Sequence, residues 1–173
     1  IYGEGLYRTV DGQAVVVEGR APEQLRNGDW ELRGAGGDPL VPIPTPESKP
    51  PSLSSVYALS KFDQERLSLM IGQAYEMPTI ALRFFNVFGT RQALSNPYTG
   101  VLAIFASRLL NRRSPILFED GQQRRDFVHV TDVARACRLA LEAAPSVCGV
   151  FNIGSGRQTT LRVETVTDHA RLE

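Results

Sequence analysis

Residues 50–62 read PPSLSSVYALSKF, and the reading of this stretch decides how the rest of the chain is parsed. Its paired prolines stop whatever precedes them, and Ser54 or Ser55 offers a hydroxyl that can accept a hydrogen bond from an unpaired N–H of a first helical turn. The pattern predicts a helix from there to about Tyr75. Wound at about 3.6 residues per turn, Leu59, Phe62, Leu67, Leu69, Met70 and Ala74 share an arc expected to face the core, while Tyr57, Lys61, Gln64 and Ser68 share a polar side. Tyr57 and Lys61 stand four apart and are therefore neighbours on a helix surface. A free phenol loses its proton near pH ~10, and an adjacent ammonium favours the phenolate, so the pair is a candidate proton-transfer device. Such a pair also arises by chance on solvated helix faces, and on these residues alone surface decoration stays open.

Downstream, PTIALRFF at 78–85 is an apolar run entered through a proline, as a buried strand would be, with Asn86 at its end and a turn at Gly89. Residues 100–111, GVLAIFASRLLN, have helical period, with Leu102, Ile104, Phe105, Leu109 and Leu110 as expected core. Residues 114–119 and 126–130 are predicted strands separated by a turn at Asp120 and Gly121. Thr131 is the expected cap of the next helix, TDVARACRLALEAA, with Val133, Ala134, Cys137, Ala140 and Leu141 facing inward. Residues 149–153 form a further strand, Gly154-Ser155-Gly156 a turn, and 160–172 the start of a helix. This alternation of strand and helix after residue 50 is the signature of an α/β chain with a parallel sheet.

Residues 1–50 show little periodicity and read as a long loop region around one short helix at 22–27, closed by Gly28. Gly34, Gly36 and Gly37 invite a nucleotide-loop reading, but no strand leads in and Asp38-Pro39 leads into extended chain, so turn glycines are expected.

The 173 residues suffice for one domain with a real core. Nineteen basic and nineteen acidic residues cancel, which points away from nucleic acid and from an anionic membrane surface as partners. Cys137 and Cys148 have no second pair and are expected to be free thiols. His129 and His169 lack partners at ligand spacing, so no metal site is expected. Without a signal peptide or an apolar run near ~18 residues, the chain reads as soluble and cytoplasmic. It opens IYGEG and ends HARLE inside a helical pattern, as a fragment would.

YGEG at 2–5, SVYALSK at 55–61, LRFFNVFG at 82–89, RDFVHVTDVA at 125–134 and FNIGSG at 151–156 stand in the order and spacing of a known family. Over residues 1 to about 160 the chain resembles the extended short-chain dehydrogenase/reductases, the NAD-dependent epimerases and dehydratases of nucleotide sugars. The run RQALSNPYTGV at 91–101 is most similar to dTDP-L-rhamnose 4-epimerases, with UDP-glucose 4-epimerases as close relatives. The resemblance implies the C-terminal part of an epimerase/dehydratase domain: a partial NAD(P)-binding Rossmann-like, doubly wound parallel sheet with part of the substrate-binding lobe. Residues 1–50 would be a loop-rich insertion, 51–90 the catalytic helix and following strand, and 91–173 the substrate-binding region and last sheet strands.

Carried over residue by residue, the resemblance makes Tyr57 the catalytic acid/base and Lys61 its partner, both also touching NAD, with Phe85 beside the cofactor. Asn86 would bind the nucleotide-sugar, Phe118 would lie by the base, and Arg125 would pair with the phosphates of a dTDP- or UDP-sugar. A guanidinium suits that work because its planar fork donates two hydrogen bonds at once. On the residues alone, Asn86 could cap a turn, Phe118 could be strand core, and Arg125 could form a solvated ion pair with Asp126. The family also commonly forms homodimers.

The family's G-x-x-G-x-x-G cofactor loop does not occur in the sequence, and the catalytic serine or threonine would lie before Ile1. Ser54 and Ser55 do not replace it, because they belong to the Tyr57 helix. Where relatives often carry a cysteine pair, this chain has Arg33-Gly34-Ala35-Gly36, which leaves no zinc site there. The expectation is thus a parent nucleotide-sugar 4-epimerase, and a chain that by itself holds NAD weakly and is inactive. A nucleotide-sugar 4,6-dehydratase and a non-catalytic nucleotide-sugar-binding remnant stay open as alternatives. A simple alcohol or ketone reductase is disfavoured by RDFVHV and FNIGSG.

Overall fold

The computed structural model describes residues 1–17, 19–94 and 100–162. The chain divides into two units, Ile1–Ala81 with Pro145–Phe151 and Leu82–Ala144 with Asn152–Glu173.

The first unit begins with a three-stranded antiparallel sheet where the sequence reads as loop. Strands β1 (Leu6–Arg8), β2 (Ala14–Val16) and β3 (Val41–Ile43) lie in the order β2-β1-β3, with Tyr7 opposite Val15 on one side and Pro42 on the other. Three-residue strands fall below the window in which alternation can be detected, which is why the sequence hides them. Pro42 is tolerated because β3 is an edge strand in the order β2-β1-β3. Helix α1 (Pro22–Arg26) follows β2, with proline in its first turn and Asn27 as C-cap, as expected. The glycines at 34 and 37 make a turn, Gly37 N–H donating to Gly34 O at 2.9 Å. Arg33 steadies that turn, with Nε 2.6 Å from Asp29 Oδ2 and NH1 2.8 Å from Gly37 O.

Helix α2 (Val56–Ala74) runs as predicted, capped by Ser55, whose Oγ accepts from Ala58 N–H at 3.1 Å. Its covered stripe is narrower than expected: Ala58, Phe62, Glu65, Leu69 and Gly72 are shielded, whereas Leu59, Leu67, Met70 and Ala74 are exposed. Gly72 explains how the helix settles. A Cβ there would collide with the Thr79 side chain, so only glycine lets the helix approach the chain entering strand β4 (Ile80–Phe84). Ahead of the helix, Lys49 Nζ donates to Tyr2 O at 2.7 Å and Ser52 N–H to Ile1 O at 2.8 Å. Lys49 is only 4% exposed, and burial lowers its pKa from the ordinary lysine value.

Strand β4 pairs with β8 (Gly149–Ile153), Gly149 N–H donating to Thr79 O and Phe85 N–H to Ile153 O, so the two run parallel. In the second unit, β5 (Asn86–Phe88) pairs parallel with β7 (Phe127–His129), setting Asn86 opposite Phe127 and Phe88 opposite His129. Strand β6 (Arg124–Arg125) pairs antiparallel with β9 (Thr159–Thr160). Helices α3 (Val101–Leu110) and α4 (Val130–Glu142) complete the α/β alternation. Among the described residues of the second unit Ala103, Phe105, Val128, Val133 and Leu161 are buried apolar side chains, and Phe88 meets Phe127 and His129 edge-on at 6.3 and 5.3 Å.

Several expectations are corrected here. Residues 114–118 have no regular structure: Ser114 O accepts from Arg108 Nε at 2.7 Å, and none of the described strands pairs with the segment. α4 is capped by His129 and not by Thr131: the imidazole Nδ1 accepts from Thr131 N–H at 3.3 Å and lies 2.7 Å from the Thr131 hydroxyl. Ala134 and Leu141 on α4 and Ile104 and Leu110 on α3 face outward, because each helix covers a single stripe. The helix expected at 160–172 begins at Leu161, and its part after Arg162 lies outside the described residues, as do Ser95 to Thr99 of the run 91–101.

Candidate functional site

The polar side of α2 carries the first group. Tyr57 stands in the first turn and is 65% exposed, with Lys61 one turn on. Lys61 Nζ lies 5.7 Å from the centre of the phenol ring, within the range of a cation–π contact, and 3.5 Å from Gln64 Oε1. The periodicity that groups Tyr57, Lys61 and Gln64 is therefore realised, and the phenol and ammonium share one open face.

The second group is held by the ends of β5, β6 and β8. Asn86 is half-buried; its backbone N–H donates to Asp126 O at 3.0 Å, and its Nδ2 donates to the same oxygen at 3.3 Å. It opens a strand instead of capping a turn, and the side-chain oxygen has no protein partner among the described residues. Phe85 lies just before it, with its ring against Gly154. Arg125 ends β6, is exposed, and donates from NH1 to Arg124 O at 2.8 Å. The expected alternative of an ion pair with Asp126 does not form. Phe118 lies in the irregular stretch after α3, 74% exposed, so the strand-core reading of that ring falls.

The residue that sequence reasoning missed is Asp126 itself. Its Oδ1 accepts from Ser155 N–H and from the Ser155 hydroxyl, both at 2.7 Å, and its Oδ2 accepts from Gly156 N–H at 2.9 Å. The usable signal is the G-S-G turn at 154–156, whose free amides require an acceptor from elsewhere. Among the described residues no group of three or more His, Cys, Asp or Glu is placed to hold a metal ion, and both cysteines are free. No described helix is long and apolar enough to cross a membrane.

The sequence model of the NAD dependent epimerase/dehydratase family matches residues 34–154. The dTDP-L-rhamnose 4-epimerase of Burkholderia thailandensis is 36% identical over 163 residues, covering 93% of this chain and 43% of that protein. The UDP-glucose 4-epimerase of Thermotoga maritima, solved with UDP-glucose, superposes with a TM-score of 0.66 at 37% identity over 73% of this chain and 40% of that one. The dTDP-glucose 4,6-dehydratase of Bacillus anthracis, solved with NAD, gives 0.64 at 26% identity over 73% and 39%. The chain thus spans less than half the length of each of these relatives. Its α/β fold is that of these NAD-linked enzymes.

Proposed function

The chain belongs to the NAD dependent epimerase/dehydratase family, and from that premise we propose that it carries the acid/base helix and the nucleotide-sugar side of a nucleotide-sugar 4-epimerase. The observation that carries the reading is the Lys61 ammonium 5.7 Å from the Tyr57 ring on an open face of α2. The most similar relatives described above include two 4-epimerases, one named for a dTDP-sugar and one solved with UDP-glucose.

The residues suit the nicotinamide end of NAD, since a phenol and an ammonium side by side can hydrogen-bond a ribose diol while leaving the phenol oxygen for a sugar hydroxyl. NAD, when bound, would supply reversible hydride transfer at the sugar carbon. Tyr57 accepts the proton of the sugar 4-hydroxyl and later gives it back, with the Lys61 ammonium beside its ring. Phe85 would border the nicotinamide, Asn86 and Arg125 would hold the sugar diphosphate, and Phe118 would offer an exposed ring to the base. Arg125 fits its part because its guanidinium is exposed and has no carboxylate partner among the described residues. With no G-x-x-G-x-x-G in the sequence, the pyrophosphate of NAD lacks its usual seat, so the chain alone is proposed to bind nucleotide sugar but NAD only weakly and to be inactive.

Calorimetric titration of the full chain with UDP-glucose and with a dTDP-hexose tests this. Binding tighter than ~1 mM, unchanged by added NAD, is expected; absence of heat with both sugars overturns the nucleotide-sugar reading, and tight NAD binding or turnover overturns the statement about the isolated chain. A 4,6-dehydratase is the second reading, favoured by the likeness to the Bacillus anthracis enzyme. Its product would be a 4-keto-6-deoxy sugar instead of a C4 epimer, which proton NMR separates.

A further inference from the structure

We propose that Asp126 is a positioning residue that sets Arg125 for a nucleoside diphosphate; this rests on the function proposed above. Asp126 is the node at which three segments meet. Its carbonyl oxygen takes both the backbone and the side-chain N–H of Asn86, at 3.0 and 3.3 Å. Its carboxylate takes the Ser155 amide and hydroxyl, each at 2.7 Å, and the Gly156 amide at 2.9 Å. The Ser155 hydroxyl in turn accepts from Arg157 N–H at 3.1 Å. Two residues further on, Thr159 pairs with Arg125 in the antiparallel ladder of β6 and β9. The segment 154–159 is thus fastened onto residues 125–126 at both ends, by a carboxylate at one and by backbone pairing at the other.

The closeness is built in. A Cβ on Gly154 would stand 2.7 Å from Asp126 Oδ2 and 3.0 Å from the Phe85 ring, so the turn has room only for glycine. Charge gives the arrangement its meaning. A carboxylate next to a residue that binds phosphate would repel the ligand unless its charge were occupied. Three short donors occupy it, and such charge-assisted bonds are stronger than neutral ones. Arg125 is left with its guanidinium free of Asp126 while its backbone is held, which lowers the ordering cost of gripping a diphosphate.

The test is calorimetry on the full chain with UDP, dTDP and uridine as probes, in wild type, Asp126→Asn, Ser155→Ala, Arg125→Ala and Asp126→Asn/Arg125→Ala. Asp126→Asn should raise the Kd for UDP and dTDP about 10-fold, leave uridine unchanged, and add less than about 2-fold once Arg125 is alanine, because the two act through one contact. Amide exchange should quicken at Ser155 and Gly156 but not in α4. An unchanged Kd for UDP in Asp126→Asn, or a loss equal for UDP and uridine, or additive losses in the double variant, overturns the proposal and leaves the nucleotide-sugar reading standing. If Asp126→Asn loosens α4 as well, Ser155→Ala decides: a rise of about 3-fold for UDP alone supports the role, and no rise overturns it. A wild-type chain that binds neither UDP nor dTDP overturns the function reading, and the role of Asp126 falls with it.

Discussion

Tyr57 and Arg125 are assigned different work, and their variants should fail differently. In an enzyme completed with a cofactor-binding half, Tyr57→Phe should lower kcat by about 100-fold or more with little change in substrate affinity, because only proton transfer is lost. Arg125→Ala should raise KM about 10-fold or more while kcat holds, and Arg125→Lys should not restore it, since a point charge cannot reproduce the planar fork. Equal losses in kcat for both variants would contradict the division of labour. The phenol–ammonium pair is legible from spacing alone, because four residues make one helical turn and both side chains are long. The role of Asp126 is not, because its partners lie 29 and 30 residues away and nothing local marks a carboxylate as an acceptor for a distant turn. Lys49 was equally hidden, since no pattern in the sequence predicts that a lysine will be buried against two backbone carbonyls.

At the scale of elements, the central fact is that α2 lies close enough to the chain entering β4 to demand glycine at 72. Alanine in an open helix interior normally stabilises by about 1 kcal/mol relative to glycine. Gly72→Ala should instead destabilise by about 1–3 kcal/mol, because the added methyl must displace Thr79; a raised urea midpoint would show that α2 does not pack this way. The segment before α2 carries a pH signature. Burial lowers the Lys49 pKa below its ordinary 10.5, so between the folded value and 10.5 the unfolded chain binds more protons. Stability therefore rises with pH across that window, and Lys49→Met should flatten the rise in thermal midpoint. A slope identical in both chains would contradict the burial of the ammonium. Helices were readable because 19, 10 and 13 residues span several turns of period. The strands β1, β2 and β3 were not, because their stability comes from pairing across the sheet and three residues give no alternation to detect.

At the scale of the molecule, the α/β class was legible from the order of strands and helices after residue 50, and five motifs in register carried the family. The extent of exposed apolar surface on α2 was not legible, because periodicity says which residues align and not whether a neighbour covers them. The chain covers 43% of the Burkholderia relative, so activity is tested most directly in a hybrid enzyme in which residues 34–154 replace the matching segment of the Thermotoga maritima epimerase. Proton NMR of UDP-glucose and a dTDP-hexose incubated with that hybrid and NAD should show the two C4 epimers interconverting, with Tyr57→Phe slowing the exchange about 100-fold or more. A folded, NAD-binding hybrid that interconverts the epimers equally fast with Tyr57→Phe, or not at all with Tyr57 in place, would contradict the account.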